Sequence, residues 1–573
     1  MNAARAMGSG AAPAFADGAD GDDGALSRFE GTVFVLVSLA NLVPIFCFRY
    51  FAGQDTANHL YVADVLRALL DGSAPAPVSR FFAVTLGLKS NIVFPLLVVG
   101  LARVGVPIIV SHRLILAFYA LSFPLAGLFC ARAAAPSSRV LALLLLPLVW
   151  NWFALQGLYN FVLSLIPGLV WLGLVARHGG RPPGSALAAL TLASLAVYFA
   201  HTTTFVALLL ITVVRIAGGP RPAGASRFAS LAAARPLGWA LAPALALAGI
   251  SVWAGWRIAH APLEPTVSGW EEYGVLSAAG TFFVEFAIRH HAWELAILGP
   301  PLVALIAIPI GAGLRGLRAG ARTPIAAATP WALWAAAILV VLYFALPHIA
   351  IGSDVSPRLR PWIVLCLLCH GGVLLSRRAR RAVAIMALAT GLASVLALSV
   401  SFARLAPELD AFTSGIPYVR EGARLYPMVF EPRAPSILVK PFLHAWGYYG
   451  LARKVITPYA FAWSEDRFPV RYRRLPAHEA ASGLPSDAED QPYALMQGRL
   501  CASVRRYAPS QSCAEIREEA EERLATLGES YDYVLTWAAP GDFVERLRRR
   551  GYRSVHEQGL LALYQPATTR LVR

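Results

Sequence analysis

Charged residues are scarce in this chain: Asp, Glu, Lys and Arg make up 15% of its 573 residues, whereas hydrophobic residues make up 57%. An ordinary soluble protein has too little polar surface to cover so much apolar material, so that class is excluded. The formal net charge is +16, but the arginines cluster in short connectors between apolar segments. Such clustering encodes membrane orientation, and we therefore expect a lipid bilayer as partner and no nucleic acid.

Metal-ligand spacing is absent among the six cysteines, and the sequence indicates no cofactor and no metal site. Cys366 and Cys369 lie inside an apolar run, where core packing explains them. Cys501 and Cys513 lie in polar sequence, where an oxidising outer compartment favours a disulfide, with two free thiols as the alternative. Residues 1–30 lack both a basic segment and a cleavage site, so the first apolar stretch predicts an uncleaved anchor.

Long apolar runs are abundant, and about eleven of them approach the roughly 20 residues that cross a bilayer. They are 32–51, 107–131, 139–156, 161–176, 186–200, 203–217, 237–256, 294–314, 326–347, 362–376 and 382–402. Basic connectors alternate with weakly charged ones, and the positive-inside rule places the basic ones and the N-terminus in the cytoplasm. Residues 91–105 are interrupted by Arg103 and are predicted to lie at the outer interface rather than to cross.

The predicted fold class is an all-α polytopic membrane protein with long outer loops after the first and seventh spans. Three regions follow from the composition: a disordered cytoplasmic tail (1–30), a transmembrane domain (31–402) and a soluble extracytoplasmic α/β domain (403–573). In the last region, 424–430 reads as a strand, and 531–564 reads as strand, helix, strand, strand. The expected location is a bacterial-type inner membrane.

Asp55 and His59 are the first candidates for chemistry, because they follow the first span directly and open an amphipathic segment. A carboxylate there could act as a general base towards an acceptor hydroxyl. Asp followed by Thr at the start of a helix is also a common N-cap, and the two interpretations are compatible. His59 lies one turn later, where it could orient Asp55 or contact a phosphate, or have no chemical role.

Other polar side chains gather at predicted outer boundaries. Arg358 and Arg360 lie in a connector that is otherwise weakly basic, which indicates phosphate binding, with snorkelling at a helix entry as the alternative. His201 stands between two spans, where either a functional role or simple satisfaction by neighbouring hydroxyls is expected. The remaining candidates for substrate contact are Asp354, Glu271, Glu272, Arg289 and His290.

A multispan chain with a long first outer loop and an Asp near its start resembles the GT-C superfamily of membrane glycosyltransferases. The resemblance covers about 32–402 and includes large outer loops after the first and seventh core spans. It implies that Asp55 is the catalytic carboxylate of an inverting transfer from a polyprenyl-phosphate sugar to an unknown acceptor. The paired acidic motif of many members is missing, since Gln54 precedes Asp55 and Ala57 stands two positions after it, so metal dependence is not indicated.

Three other functions fit parts of the pattern. A membrane acyltransferase would use a buried histidine, with His201 as the candidate, and a lipid or glycan transporter would use Arg358 and Arg360 for lipid phosphates. An inactive scaffold with the same fold is the third. The predicted span interiors are nearly free of charge, which favours chemistry at the outer surface over passage through the bilayer.

Overall fold

Helices dominate the computed structural model, which describes residues 26–134, 136–178, 182–217, 235–258, 294–318, 330–346, 349–350, 353–370, 375–462, 468–473 and 512–566. The predicted helix-rich fold is confirmed, and seven helical segments of the described residues are long and apolar enough to cross a membrane. These segments are Arg28–Phe46, Ile108–Ala134, Arg139–Gln156, Tyr159–His178, Arg235–Trp253, Leu295–Arg315 and Arg377–Tyr418.

The α-helices follow one another through most of the chain. In order they are α1 (Arg28–Ala40), α2 (Val43–Phe46), α3 (Thr56–Leu70), α4 (Ala76–Phe81), α5 (Val93–Arg103), α6 (Ile108–Ala134), α7 (Trp152–Gln156), α8 (Tyr159–His178), α9 (Gly184–Ala200), α10 (Thr202–Ala217), α11 (Arg235–Ile258), α12 (Leu295–Arg318), α13 (Pro330–Ala345), α14 (Arg360–Leu367), α15 (Arg377–Thr413), α16 (Gly447–Arg453), α17 (Cys513–Gly528) and α18 (Gly541–Arg549). Three 3₁₀ helices cover Pro136–Leu148, Ser356–Leu359 and Ile416–Tyr418.

The count of eleven spans stays a prediction. Helices α9, α10 and α13 contain 17, 16 and 16 residues. At 1.5 Å per residue they measure about 24–26 Å, slightly less than the roughly 30 Å of a hydrocarbon core. Helix α5 has 11 residues, a length of about 16 Å, so on its own it is too short to cross.

One predicted span is wrong in form. Instead of a long helix over 362–376, the chain makes a 3₁₀ turn and then the short helix α14, which has 8 residues, all of them buried. Residues 362–370 therefore pack inside the protein rather than against lipid, which composition alone does not distinguish.

Helices α1 and α15 pack in parallel and define the two ends of the bundle. Arg380 donates to Glu30 at 2.8 Å near the start of both helices, and Arg49 meets Asp410 at 3.4 Å beyond the end of α1. Helix α15 has 37 residues, so it measures about 55 Å, longer than a bilayer core is thick. It runs through the predicted boundary between 402 and 403 without a break.

A four-stranded sheet follows α15 in a C-terminal unit. Its strands are β4 (Leu425–Val429), β6 (Tyr533–Trp537), β7 (Arg553–Gln558) and β8 (Leu561–Gln565), in the order β4-β6-β8-β7. Strand β4 is parallel to β6, and the other two pairs are antiparallel. The predicted strand near 424–430 and the predicted strand, helix, strand, strand unit are confirmed.

The structure also contains four shorter strands. They are β1 (Phe82–Val84), β2 (Ile349–Ala350), β3 (Ser353–Asp354) and β5 (Val470–Tyr472).

The C-terminal unit is joined to the segment after α2 by a small sheet and a helix contact. Strand β1 pairs with β5, and the Tyr61 hydroxyl donates to the Val455 carbonyl at 2.7 Å. Helix α16 lies so close to α3 that a Cβ at Gly447 would come within 2.5 Å of the Ala57 backbone. These contacts fix α3 against the C-terminal unit.

Cys513 is in a disulfide in the structure, whereas Cys47, Cys130, Cys366 and Cys369 are free. Cys501, its predicted partner, lies outside the described residues.

Substitution Gly447→Ala is expected to loosen the contact between α3 and α16, because the new methyl group overlaps backbone atoms of Ala57. The cost is on the order of 1–3 kcal/mol, the range for overpacking a tight contact. Thermal unfolding of the purified protein in detergent would measure it. Gly541→Ala is the control, since no atom lies within 4 Å of its Cβ position; equal stability of the two variants would contradict the tight contact.

Candidate active site

Asp55 is held by a tight corner between the third span and α8. Its backbone N–H donates to the Gln156 carbonyl at 3.1 Å, and that of Gln54 donates to the Leu155 carbonyl at 2.9 Å. The corner closes at Gly157, whose φ of +93° lies in the left-handed region that favours glycine. A Cβ at Gly157 would lie 2.9 Å from the Asp55 Cβ, so only glycine lets the two segments approach.

The N-cap interpretation of Asp55 is wrong for its side chain. Asp55 does occupy the N-cap position of α3, but its carboxylate makes no capping hydrogen bond. It turns instead towards His444, which belongs to the C-terminal unit. A tertiary partner has therefore replaced the local backbone partner that sequence preference predicts.

His444 and Asp55 form a buried pair. Nδ1 of His444 lies 2.9 Å from Oδ1 of Asp55, and the exposed fractions of the two side chains are 4% and 12%. Because a carboxylate only accepts, Nδ1 carries the proton of this bond. Among the described residues, none donates a hydrogen bond to the second oxygen, Oδ2, and the side chain of Asp55 is not completely buried.

His59 lies beside this pair, within a ring of aromatic side chains. Its ring centroid is 4.9 Å from that of Phe461 and 5.8 Å from those of Phe94 and Tyr159. Burial lowers the pKa of His59 to about 4, although the charge of Asp55 and the Gly157 backbone partly oppose the shift. His59 is thus neutral near pH 7, and its predicted proximity to Asp55 is found in the structure.

The segment that carries His444 forms one wall of the site. Asn58 of α3 donates to the Tyr459 carbonyl and accepts from the Phe461 backbone, at 3.0 Å in each case. The side chain of Gln54 accepts from the Lys440 backbone at 3.2 Å. These bonds fix the C-terminal segment on both sides of Asp55.

A second group of predicted residues meets at the same end of α8. Arg358 and His201 are both buried, and Arg358 is close enough for its charge to act on the imidazole. The His201 ring lies 5.1 Å from that of Phe161, two residues beyond Tyr159 on α8. Arg360 is also buried, with its guanidinium 5.6 Å from the Tyr343 ring centroid. Burial of both arginines argues against snorkelling.

The hydroxyls next to His201 do not satisfy it. Thr202 pairs with Ser90 and Thr204 with Ser164, at 2.6 and 2.7 Å. The buried Nδ1 of His201 has no hydrogen-bond partner within the part of the chain that the structure describes. Simple satisfaction by neighbouring threonines is therefore not what holds this ring.

Of the remaining predicted candidates, the structure describes the backbone of one, Asp354. Asp354 ends the short β2–β3 hairpin, opposite Ile349. Glu271, Glu272, Arg289 and His290 lie outside the described residues. In the described ranges, no group of three or more His, Cys, Asp or Glu side chains is arranged to hold a metal ion.

Sequence reasoning missed His444, Gly157 and His112. His112 lies in the first turns of α6, with its ring 5.0 Å from that of Tyr159. A signal for His444 was present, since residues 442–449 are rich in aromatic residues and glycine within an otherwise polar tail. Such a stretch is typical of buried segments that pack closely on another element.

No family model and no curated protein sequence matches the chain. The case for a function therefore rests on the geometry of these two groups.

The shifted pKa of His59 predicts a pH effect on stability. In the folded protein His59 becomes protonated only near pH 4, whereas in the unfolded chain it becomes protonated near pH 6.5. The free energy of unfolding therefore falls as the pH drops between these two values. At pH 5 the loss is on the order of 1–2 kcal/mol. Thermal unfolding at pH 7 and pH 5 would compare the wild type with His59→Gln. On going from pH 7 to pH 5, the wild type should lose more thermal stability than His59→Gln. Equal losses in the two proteins would contradict the expectation.

Proposed function

We propose that this protein is an integral membrane glycosyltransferase, which moves a sugar from a polyprenyl-phosphate donor to an acceptor by an inverting mechanism. The observation that carries the proposal is the hydrogen bonding of the two carboxylate oxygens of Asp55. One carboxylate oxygen is bound by His444, and the other accepts no hydrogen bond from the described residues. A carboxylate fixed by one oxygen, with the second free to accept, has the arrangement that a general base requires.

The proposed reaction needs little more than this base and a site for the donor phosphate. The acceptor hydroxyl oxygen attacks the anomeric carbon, and its proton passes to Oδ2 of Asp55. The new glycosidic C–O bond forms as the bond between the anomeric carbon and the phosphate oxygen breaks. The polyprenyl phosphate leaves with the electron pair, and the proton is later released from Asp55 to solvent.

Arg358 and His201 are the proposed contacts of the donor phosphate, with Arg360 next to them in the chain. Arginine suits this role because its guanidinium stays charged when buried and matches the geometry of phosphate oxygens. Tyr159 packs on His59, and Phe161 packs on His201, so both groups lie against the first turn of α8. This placement supports a donor that lies beside the proposed base.

The proposal includes an orientation. The N-terminus and the end with the Glu30–Arg380 pair face the cytoplasm of a bacterial-type inner membrane, and Asp55 and the C-terminal unit face outward. The basic connectors support it, since Arg132, Arg177 and Arg380 lie at the cytoplasmic ends of their helices in this scheme. The disulfide at Cys513 also supports it, because disulfides persist outside the cytosol.

The test of the base is Asp55→Asn in purified protein, assayed with a panel of polyprenyl-phosphate-linked hexoses and pentoses. Turnover should fall by about 100-fold or more, because a positioned base contributes that much or more to the rate. The variant should fold normally, since asparagine keeps the size of the side chain and can still pair with His444 through its amide oxygen.

Asp410→Asn is the matched control, because Asp410 is exposed and pairs with the exposed Arg49 at the same end of the bundle. It should retain wild-type turnover. Near wild-type activity of Asp55→Asn, or no transfer from any donor of the panel by the wild type, would refute the proposal.

The test of the donor site is Arg358→Gln. A lost charge-assisted hydrogen bond costs about 1.5–3 kcal/mol, so the KM for the donor should rise by roughly 10- to 150-fold. The KM for the acceptor should stay unchanged, because the proposed acceptor lies beside Asp55. Initial rates with varied donor and fixed acceptor would measure the effect. An unchanged donor KM would remove Arg358 from the site.

A further inference from the structure

We infer that His444 is a positioning residue, through which the C-terminal unit completes the catalytic site by holding Asp55 in its reactive orientation. The inference rests on the proposed role of Asp55 as base. It gives the C-terminal unit a part in the reaction that is distinct from binding an acceptor or anchoring the chain.

The first support is the direction of the hydrogen bond. Nδ1 of His444 donates to Oδ1 of Asp55 at 2.9 Å, and both side chains are buried. The bond engages Oδ1, and among the described residues none donates to Oδ2. Without this donor, Asp55 at the N-cap position of α3 would be free to turn to the backbone N–H groups of the first helical turn. A carboxylate that caps α3 would have its oxygens bound to backbone N–H groups and turned away from the position that the base requires.

The second support is the rigidity of His444 itself. Its ring lies 5.1 Å from that of Phe461 and 5.9 Å from that of Trp446, nearly perpendicular to both. The Trp446 indole N–H donates to the Leu443 carbonyl, and the Gly447 N–H donates to the His444 carbonyl. Packing on two rings and a tight local turn leave the imidazole little freedom.

The third support is that the same segment is locked onto α3. Gly447 approaches the Ala57 backbone, and Asn58 is bound to the backbone at Tyr459 and Phe461. Histidine and carboxylate are therefore held by two elements that cannot shift independently.

Two polar variants separate positioning from packing. His444→Asn places an amide donor close to the position of Nδ1, whereas His444→Gln carries it one carbon further, near the position of Nε2. Both keep a polar side chain in the cavity. Their difference therefore reports the bond to Asp55 rather than the loss of the ring.

We expect His444→Gln to lower kcat by about 10- to 100-fold with little change in the donor KM, since misplacement of a catalytic group by about 1 Å costs up to that factor. His444→Asn should recover much of this loss. His556→Leu is the control. His556 lies on the sheet of the same unit and bonds Ser414 at 2.8 Å, so its substitution should leave kcat unchanged.

The pH profile gives a readout that a structural role would not move. A hydrogen bond to the charged form stabilises it, so its loss in His444→Gln should shift the acidic limb of kcat/KM to higher pH. Within the described part of the chain, the charge of Asp55 acts on His59 of α3 and Tyr159 of α8, and His112 of α6 packs on Tyr159. The substitution replaces none of these side chains, but it removes the charge of His444 that helps to lower the pKa of His59. The shift is therefore measured in the His59→Gln background, where it reports the bond to Asp55.

The combination with Asp55→Asn distinguishes this inference from the proposed function. If His444 acts through Asp55, adding His444→Gln to Asp55→Asn should cost no further activity. Three results would overturn the inference while Asp55 remains the base. They are additive losses of activity in the double variant, equal kcat values of His444→Asn and His444→Gln, and an unchanged acidic limb of kcat/KM in His444→Gln. Full activity of Asp55→Asn would instead overturn the function on which the inference rests.

Discussion

The close approach of the Gly157 corner to Asp55 is the constraint on which the candidate site depends. Two carbonyls of this corner bind the backbone of Gln54 and Asp55, and the missing Cβ of Gly157 gives the carboxylate its place. The corner supplies position but no partner for the side chain. That partner comes from His444, so two independent parts of the chain define a single carboxylate.

Local sequence predicted much of the fold, because apolar length and strand alternation are local properties. The stretch before Asp55 is apolar enough to read as a span, and the C-terminal strands follow the residues that favour them. The prediction of a membrane span at 362–376 was wrong for a physical reason. A buried helix inside a bundle and a lipid-exposed span have the same composition, and only packing separates them.

The site was only half predictable. Asp55, His59, His201 and Arg358 could be found because each is a polar residue at the edge of an apolar run. His444 could not be assigned a role, since 389 residues separate it from Asp55 and no local pattern encodes that distance. The cap interpretation failed in the same way. Local preference favours the backbone N–H groups of α3, whereas the folded chain offers a better donor from far along the sequence.

The long separation between Asp55 and His444 has a consequence for biosynthesis. Asp55 leaves the ribosome early, and every helix from α3 to α15 is made before the segment that completes its pair. During insertion the carboxylate has no imidazole beside it and no wall from Tyr459 and Phe461. A nascent or truncated chain that ends before this segment therefore lacks the finished candidate site, and the order of synthesis delays its assembly until α3 to α15 have been made.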